Sequence, residues 1–341
     1  MMKQKAYSTW LAALAICLFN IASRPGGALK TFRINGRAQG TTYAVTYYAE
    51  REAVSQTQTD SIFKSLDASL SIYQPGSLIN TFNASREGVE MDLHLSRVVE
   101  RSMQIYKQTG GLFDITVYPL VNAWGFGTKD EDGLPDSAAI RRILPCVGSV
   151  NLQTSGNSLV KSNPCIQIDV NGIAQGYSVD IVADFLEVRG VSNYLVEVGG
   201  EIRTKGRKYP GKEKMSIGIE TPSATEFDTP VIREVISIGD GAVTTSGSYR
   251  KFRQSGGLRL SHIINPKSGF PVQREIISAT VVAPDAITAD GFDNALLAAG
   301  VNGAFEILKK HPEMDAYLIY KKTDGNVADT ASAGFARHVV R

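Results

Sequence analysis

Asp290, Asp293 and Asn294 stand at positions i, i+3 and i+4, directly after a β-rich run from Ala279 to Ala283. On a helix opening near Asp290 the three would share one face. Two carboxylates and an amide oxygen so placed repel one another unless solvated or bridged, and hard oxygen donors of this kind favour Mg²⁺ or Ca²⁺. The alternative is that acidic residues in a first helical turn complement the helix dipole. A second candidate is His262, at the end of a β-rich run and just before Asn265-Pro266-Lys267-Ser268-Gly269. A histidine titrates near neutrality and can take a proton as a general base; a lone one also serves as a packing residue.

Two further segments are richer in glycine and aromatic residues than packing alone requires. Trp124-Gly125-Phe126-Gly127 follows an expected strand and Pro119. It would offer a flat apolar surface with close backbone approach, suited to a planar ring system, or would plug the core. In Ile168-Asp169-Val170-Asn171-Gly172-Ile173-Ala174-Gln175-Gly176 a strand is expected to end at Asp169 and a helix to open near Gln175. Such a strand–glycine–helix junction presents free N–H groups to an anion such as a diphosphate; alternatively Asp169 caps the helix. The segment is neither GxGxxG nor a Walker loop.

The elements that must position these residues are legible from periodicity. Lys30–Gly36 and Thr42–Tyr47 alternate as strands. Ile62, Phe63, Leu66 and Leu70 recur at helical spacing, as do Val98, Val99, Met103 and Tyr106. A third helix is expected over Gln175–Arg189, ended by Gly190. Short strands follow at Tyr194–Val198, Met215–Glu220, Val231–Ile238, Arg259–Ile264 and Ile276–Val282, and Ala316–Tyr320 is expected to be the last strand. Strands in succession with helices inserted between groups predict an α+β fold of mainly antiparallel sheet, in one continuous domain over residues 30–341.

Composition excludes several classes. The 341 residues carry 36 Lys+Arg against 34 Asp+Glu, a net charge of +2, which argues against a broad nucleic-acid-gripping surface. Apolar residues at 43% and charged residues at 21% are globular values. Three cysteines without a CxxC pair and four histidines leave little for a zinc or multi-histidine site. Lys3 and Lys5 precede an apolar stretch, Trp10–Ala22, broken by Arg24-Pro25-Gly26-Gly27. That is the pattern of an export signal over residues 1–23, and predicts a periplasmic protein. Cys17 in Leu14-Ala15-Ile16-Cys17 has a lipobox-like setting with bulky Ile16, leaving either a lipid anchor or an incidental cysteine. Cys146 and Cys165 would remain, as a bridge or as two thiols.

Taken together, ordered motifs along nearly the whole mature chain resemble the FAD:protein FMN transferase (ApbE-type) family. They are Gly40-Thr41-Thr42-Tyr43, Ser71-Ile72-Tyr73, Gly111-Leu112-Phe113-Asp114 through Gly127, Asp169 to Asp180, and Val198-Gly199-Gly200-Glu201-Ile202. Thr245-Ser246-Gly247, His262-Ile263-Ile264-Asn265-Pro266 and Ala289-Asp290 complete the series. The resemblance implies a T-fold-like α+β core that binds FAD with Mg²⁺ and cleaves its pyrophosphate. FMN would pass to a Ser or Thr hydroxyl of an exported or membrane redox flavoprotein, and AMP would be released. It also implies FAD contacts at Gln39, Tyr73, Trp124, Gly125, Phe126, Asp169, Gln175 and Ile264. Magnesium would be held by the Gly172 carbonyl, Asp290, Asp293 and Asn294, with His262 taking the acceptor's proton. The chain departs from the family where Gln39 replaces a common methionine, Gln175 a lysine or glutamate, Asn294 a threonine and Asn265 an aspartate. The last change is expected to lower the basicity of His262.

Other functions remain open at this point: an FAD-storing periplasmic protein, or a pyrophosphatase yielding FMN and AMP. Ser248-Tyr249-Arg250-Lys251 and Lys267-Ser268-Gly269 resemble penicillin-binding motifs, but lie too close together for the helical region that separates them in those enzymes.

Overall fold

The computed structural model describes residues 27–128, 133–221, 231–247, 252–255 and 258–340. The export signal, Cys17 and Ser248–Lys251 lie outside the described residues. The chain opens with a hairpin, β1 (Lys30–Ala38) and β2 (Thr41–Ala49), that turns on Gln39 and Gly40. Helices α1 (Gln56–Leu70) and α2 (Leu78–Ala84), strand β3 (Gly88–Glu90) and helix α3 (Leu93–Gln108) follow. Next are α4 (Tyr118–Ala123), α5 (Ser137–Ile143), the hairpin β4 (Leu152–Ser155) and β5 (Ser158–Lys161), and α6 (Asn171–Val188). Strands β6 (Tyr194–Val198), β7 (Glu201–Lys205), β8 (Met215–Glu220), β9 (Ile232–Ile238) and β10 (Gly241–Gly247) come after it. The chain continues with β11 (Phe252–Ser255), β12 (Leu258–Ser261), β13 (Ile276–Ala283), α7 (Ala286–Leu308), β14 (Asp315–Lys321) and β15 (Val327–Ala331).

Eight strands form one sheet in the order β1-β2-β6-β7-β10-β13-β14-β15. Every neighbouring pair in it is antiparallel. This is the α+β architecture expected from the strand and helix patterns. Alternation along the strands sends residues to two cores. On one face Ala242, Ala279 and Val281 meet α7, while α6 packs over β6 and β7. On the other, Val243 and Val282 pack with Ile217, Ile219, Ile236 and Ile238 of the β8–β9 hairpin. A separate small core gathers Leu120, Trp124, Ile140, Leu260 and Ile264.

Four local expectations are overturned. Ile115–Val117 is a 3₁₀ turn leading into α4, despite its β-branched composition. The Asp114 carboxylate imposes this by accepting from the Thr116 N–H at 2.8 Å and from Ser149 Oγ at 2.6 Å. No strand precedes Asp169: Ile166–Val170 is held instead by side chains. Asn83 donates to Ile168 O (2.9 Å) and accepts from Ile168 N (2.7 Å), while buried Lys161 donates to Ile166 O (2.8 Å). Helix α6 accordingly begins at Asn171, four residues earlier than expected, and α7 at Ala286 rather than near Asp290. Finally, β15 pairs outside β14, so Ala316–Tyr320 does not end the sheet. Cys146 and Cys165 form a disulfide, resolving the alternative left open by their number.

Candidate active site

Helix α6 is the spine of the site. Its first turn is kinked at Gly172 (φ −84°, ψ 15°), which leaves the Gly172 carbonyl aimed away from a regular helical partner. Helix α7 crosses α6 here. At Gly176 a Cβ would lie 2.3 Å from Ala286 O and 2.7 Å from Asp290 Cβ, so only glycine permits the approach. The Gly176 N–H donates to Asp290 Oδ2 at 2.8 Å. One turn further on, Asp180 accepts from the Ala286 and Ile287 N–H groups at 3.0 and 2.9 Å and pairs with Arg203 at 2.9 Å. The buried Asp180 carboxylate therefore satisfies the free donors that begin α7 and fixes its position on α6.

That crossing brings Gly172, Asp290, Asp293 and Asn294 together. Asn294 Nδ2 lies 3.3 Å from Gly172 O, 3.0 Å from Asp290 O and 3.0 Å from Asp293 Oδ1. The other oxygen of Asp293, Oδ2, accepts from Thr244 Oγ1 of β10 at 2.7 Å. Because α7 starts at Ala286, Asp290 and Asp293 lie past its first turn and are 3% and 0% exposed. They are not solvated dipole partners. Burial pushes the Asp290 carboxyl up to about 7 against the opposing Gly176 N–H. Burial and then the Asp290 charge push Asp293 well above the usual carboxylate range.

Sequence reasoning assigns Glu201 no role of its own. It follows the Gly199-Gly200 turn at the start of β7, is buried, and its Oε2 has no hydrogen-bond partner. Burial, then the charges of Asp290 and Asp293, raise its carboxyl well above the ordinary value. The available signal was an acidic residue directly after two glycines and before an apolar strand. Gly199 (φ +64°) brings this turn against α6: its Cβ would stand 2.9 Å from Gln175 Nε2 and 3.4 Å from Glu201 Oε2. Gln39, at the β1–β2 turn, donates to Ser178 Oγ of α6 at 2.8 Å, and its Oε1 is buried without a partner. Gln39 and Gln175 thus converge on one stretch of α6.

Tyr73 is 63% exposed beside Asp169 and Asn171. Partial desolvation, and then the Asp169 charge, raise its hydroxyl pKa. Asp169 Oδ1 accepts from the Asn171 N–H (2.8 Å), and the Asp169 N–H donates to Ile115 O (2.7 Å). The second bond ties the start of α6 to the segment that runs through α4 to Trp124. Trp124 is largely buried and its Nε1 donates to Gly269 O at 2.7 Å, so most of its ring fills the small core. Its remaining surface lines a cavity of about 390 Å³ with Leu134, Pro135, Leu260, Phe270, Pro271 and Gln273, within the range of small-molecule sites. Ile264 is buried in the same core. Gly125 (φ 74°) turns the chain so that the Phe126 ring meets His262 edge-on, centroids 6.4 Å apart. His262 is half-buried, one residue beyond β12. Asn265 Oδ1 accepts from the Lys267 N–H at 2.9 Å, and so stabilises the turn that follows His262.

A match to the ApbE family model spans residues 39–318. The chain belongs to the ApbE family. Among the relatives of this ApbE-family chain, the FAD:protein FMN transferase of Vibrio cholerae is 33% identical over 334 residues, covering 96% of this chain and 97% of that protein. The Haemophilus influenzae FAD:protein FMN transferase is 32% identical over 317 residues, with 89% and 90% covered. The solved flavin transferase ApbE from Vibrio cholerae superposes with a TM-score of 0.82 at 33% identity, covering 91% of this chain and 99% of that one. The apo Pseudomonas stutzeri flavinyl transferase ApbE gives 0.81 at 29% identity, covering 91% and 97%.

The donor set fits magnesium chemically. Among the described residues no group of three or more His, Cys, Asp and Glu side chains is close enough to hold a metal. Any ion here must therefore use carbonyl and amide oxygens besides the aspartates. Gly172 O, Asp290 O and Asp293 Oδ1 already converge on one point, and all are hard oxygens. Buried negative charge around that point also has a measurable cost. Asp290 ordinarily titrates near 3.8 and here near 7, so its contribution to stability is complete below 3.8 and is lost as pH rises through about 7. In EDTA, Asp290→Asn is expected to match the parent at pH 4 and to exceed it above pH 7 by roughly 2–4 kcal/mol. Thermal melts across that window read this directly, and a parent as stable as the variant at high pH would contradict it.

Proposed function

We propose that this ApbE-family chain is an exported FAD:protein FMN transferase that attaches FMN to a Ser or Thr hydroxyl of a flavoprotein acceptor. The convergence of Gly172, Asp290, Asp293 and Asn294 at the α6–α7 crossing carries this reading. The kinked start of α6 receives the diphosphate, Tyr73 and Asp169 flank it, and Gln39 and Gln175 supply polar contacts along α6. The cavity beside Trp124 accepts a planar ring of the dinucleotide.

Mg²⁺ bound by Gly172 O, Asp290, Asp293 and the Asn294 amide oxygen would offset charge on the diphosphate. His262 takes the proton from the acceptor hydroxyl. That oxygen then forms a bond to the FMN-side phosphorus while the bond from that phosphorus to the bridging oxygen breaks, and the bridging oxygen departs with AMP. The Cys146–Cys165 disulfide accords with an oxidising compartment, and so with export of residues 30–341 as one working domain after loss of residues 1–23. Whether Cys17 carries a lipid is a separate matter of membrane attachment.

The test incubates purified protein with FAD, Mg²⁺ and a candidate flavoprotein domain, with and without EDTA. Fluorescent flavin covalently on the partner, and AMP in equal amount, is expected only without EDTA. Free FMN would identify a pyrophosphatase instead, and unaltered bound FAD a carrier.

A further inference from the structure

Asn294 does something in the site that a simple oxygen ligand would not. Its Nδ2 has two hydrogens and faces three acceptors: the Gly172 carbonyl, the Asp290 carbonyl and Asp293 Oδ1, at 3.3, 3.0 and 3.0 Å. Two of the three are backbone carbonyls, which can only accept, and they orient the amide: its oxygen, turned to the same place, would face their lone pairs. The side chain is half-buried, while Asp290 and Asp293 beside it are buried. Asn294 also packs against the Gly172 backbone, where a Cβ would lie 3.3 Å from Nδ2.

We propose that the Asn294 amide is a built-in competitor for the divalent cation of this site. Its N–H groups and the cation claim the same lone pairs on Gly172 O and Asp293 Oδ1. For an ion to enter, the amide must turn over, withdrawing its two donors and presenting Oδ1 as a ligand in their place. Asn294 therefore sets the Mg²⁺ concentration at which the site fills, and it lends the ion-free protein stability by giving the buried Asp293 Oδ1 a hydrogen-bond donor. This inference rests on the cation reading made above.

The measurement is Mg²⁺ binding alone, without FAD, by calorimetry on EDTA-stripped protein, alongside melting temperatures in EDTA. The parent is compared with Asn294→Ser, Asn294→Ala and Asp293→Asn. Serine retains an oxygen but loses the two-donor amide. It is expected to bind Mg²⁺ about tenfold more tightly than the parent, a gain of about 1.4 kcal/mol, and to melt lower in EDTA. Alanine is expected to bind no more weakly than the parent, and Asp293→Asn, which removes a ligand charge, at least about tenfold more weakly. A second reading uses the parent itself, labelled with ¹⁵N at asparagine side chains. The Asn294 NH₂ signal, assigned by its disappearance in the serine variant, should shift and exchange faster with solvent as Mg²⁺ is added. Equal weakening in the serine and alanine variants would make Asn294 an ordinary ligand and overturn the proposal, as would an NH₂ signal unmoved at saturating Mg²⁺. If the parent binds no Mg²⁺ at all, the cation reading itself fails and this inference falls with it.

Discussion

Replacing His262 with alanine is expected to lower the rate of covalent flavin attachment by roughly 10²–10⁴-fold, the usual contribution of a positioned general base. FAD affinity should stay within about threefold of the parent, since the energy of a proton transfer from the acceptor hydroxyl is spent in the transition state and not in ground-state binding. In the proposed reaction the base is His262, and its surroundings hold it in place. His262 stands one residue past β12, the Phe126 ring meets it edge-on at 6.4 Å, and the Asn265 turn fixes the chain on its far side. Leu260, two residues earlier on the same strand, lines the cavity beside Trp124, so imidazole and cavity belong to one local unit. The checks are flavin fluorescence on the acceptor after denaturing electrophoresis and quenching of free FAD by the variant. Undiminished labelling would remove His262 from the reaction. A parallel loss of FAD binding would make it a binding residue instead.

How far the site could be read from the sequence depended on whether its geometry was local. The i, i+3, i+4 spacing of Asp290, Asp293 and Asn294 is a property of one helix, so helical periodicity alone puts all three on one face. Its environment was not legible. The alternative of solvated first-turn acids is excluded only because α7 begins at Ala286, where Asp180, 106 residues away, receives its first N–H groups. Strand periodicity finds most of the large sheet but misses β7, β10 and β15, of which β7 and β10 begin at glycine-containing turns that interrupt the apolar pattern. Ile115–Val117 and Ile166–Asp169 have strand composition yet are held out of the sheet by Asp114, Asn83 and Lys161, contacts no local pattern announces. Trp124 illustrates the opposite limit. The core-packing reading of its segment is met, and the same ring also borders the cavity.

Gly176→Ala is expected to be the most damaging single methyl that can be added to the site. The new Cβ would lie 2.3 Å from Ala286 O and 2.7 Å from both Ala286 C and Asp290 Cβ, against an ordinary contact beginning at 3.4 Å. Two of these three atoms are α7 backbone and the third is the root of a buried side chain, so no flexible tip can move aside. Helix α7 must retreat from α6 by about 1 Å, as overpacked cores do, at a cost of roughly 1–3 kcal/mol. The retreat would strain the Gly176 N–H bond to Asp290 Oδ2 and the two bonds by which Asp180 holds Ala286 and Ile287. It would also draw Asp290, Asp293 and Asn294 away from the Gly172 carbonyl, which stays on α6. Oxygen ligands for Mg²⁺ tolerate little departure from their spacing, so Mg²⁺ binding should weaken by at least about tenfold, more than the fall in stability alone would produce. Gly239→Ala supplies the control: its Cβ would find nothing nearer than 3.7 Å, and it should leave both melting temperature and Mg²⁺ titration unchanged. An alanine at 176 that behaves like the one at 239 would show that the α6–α7 crossing is not what assembles the site.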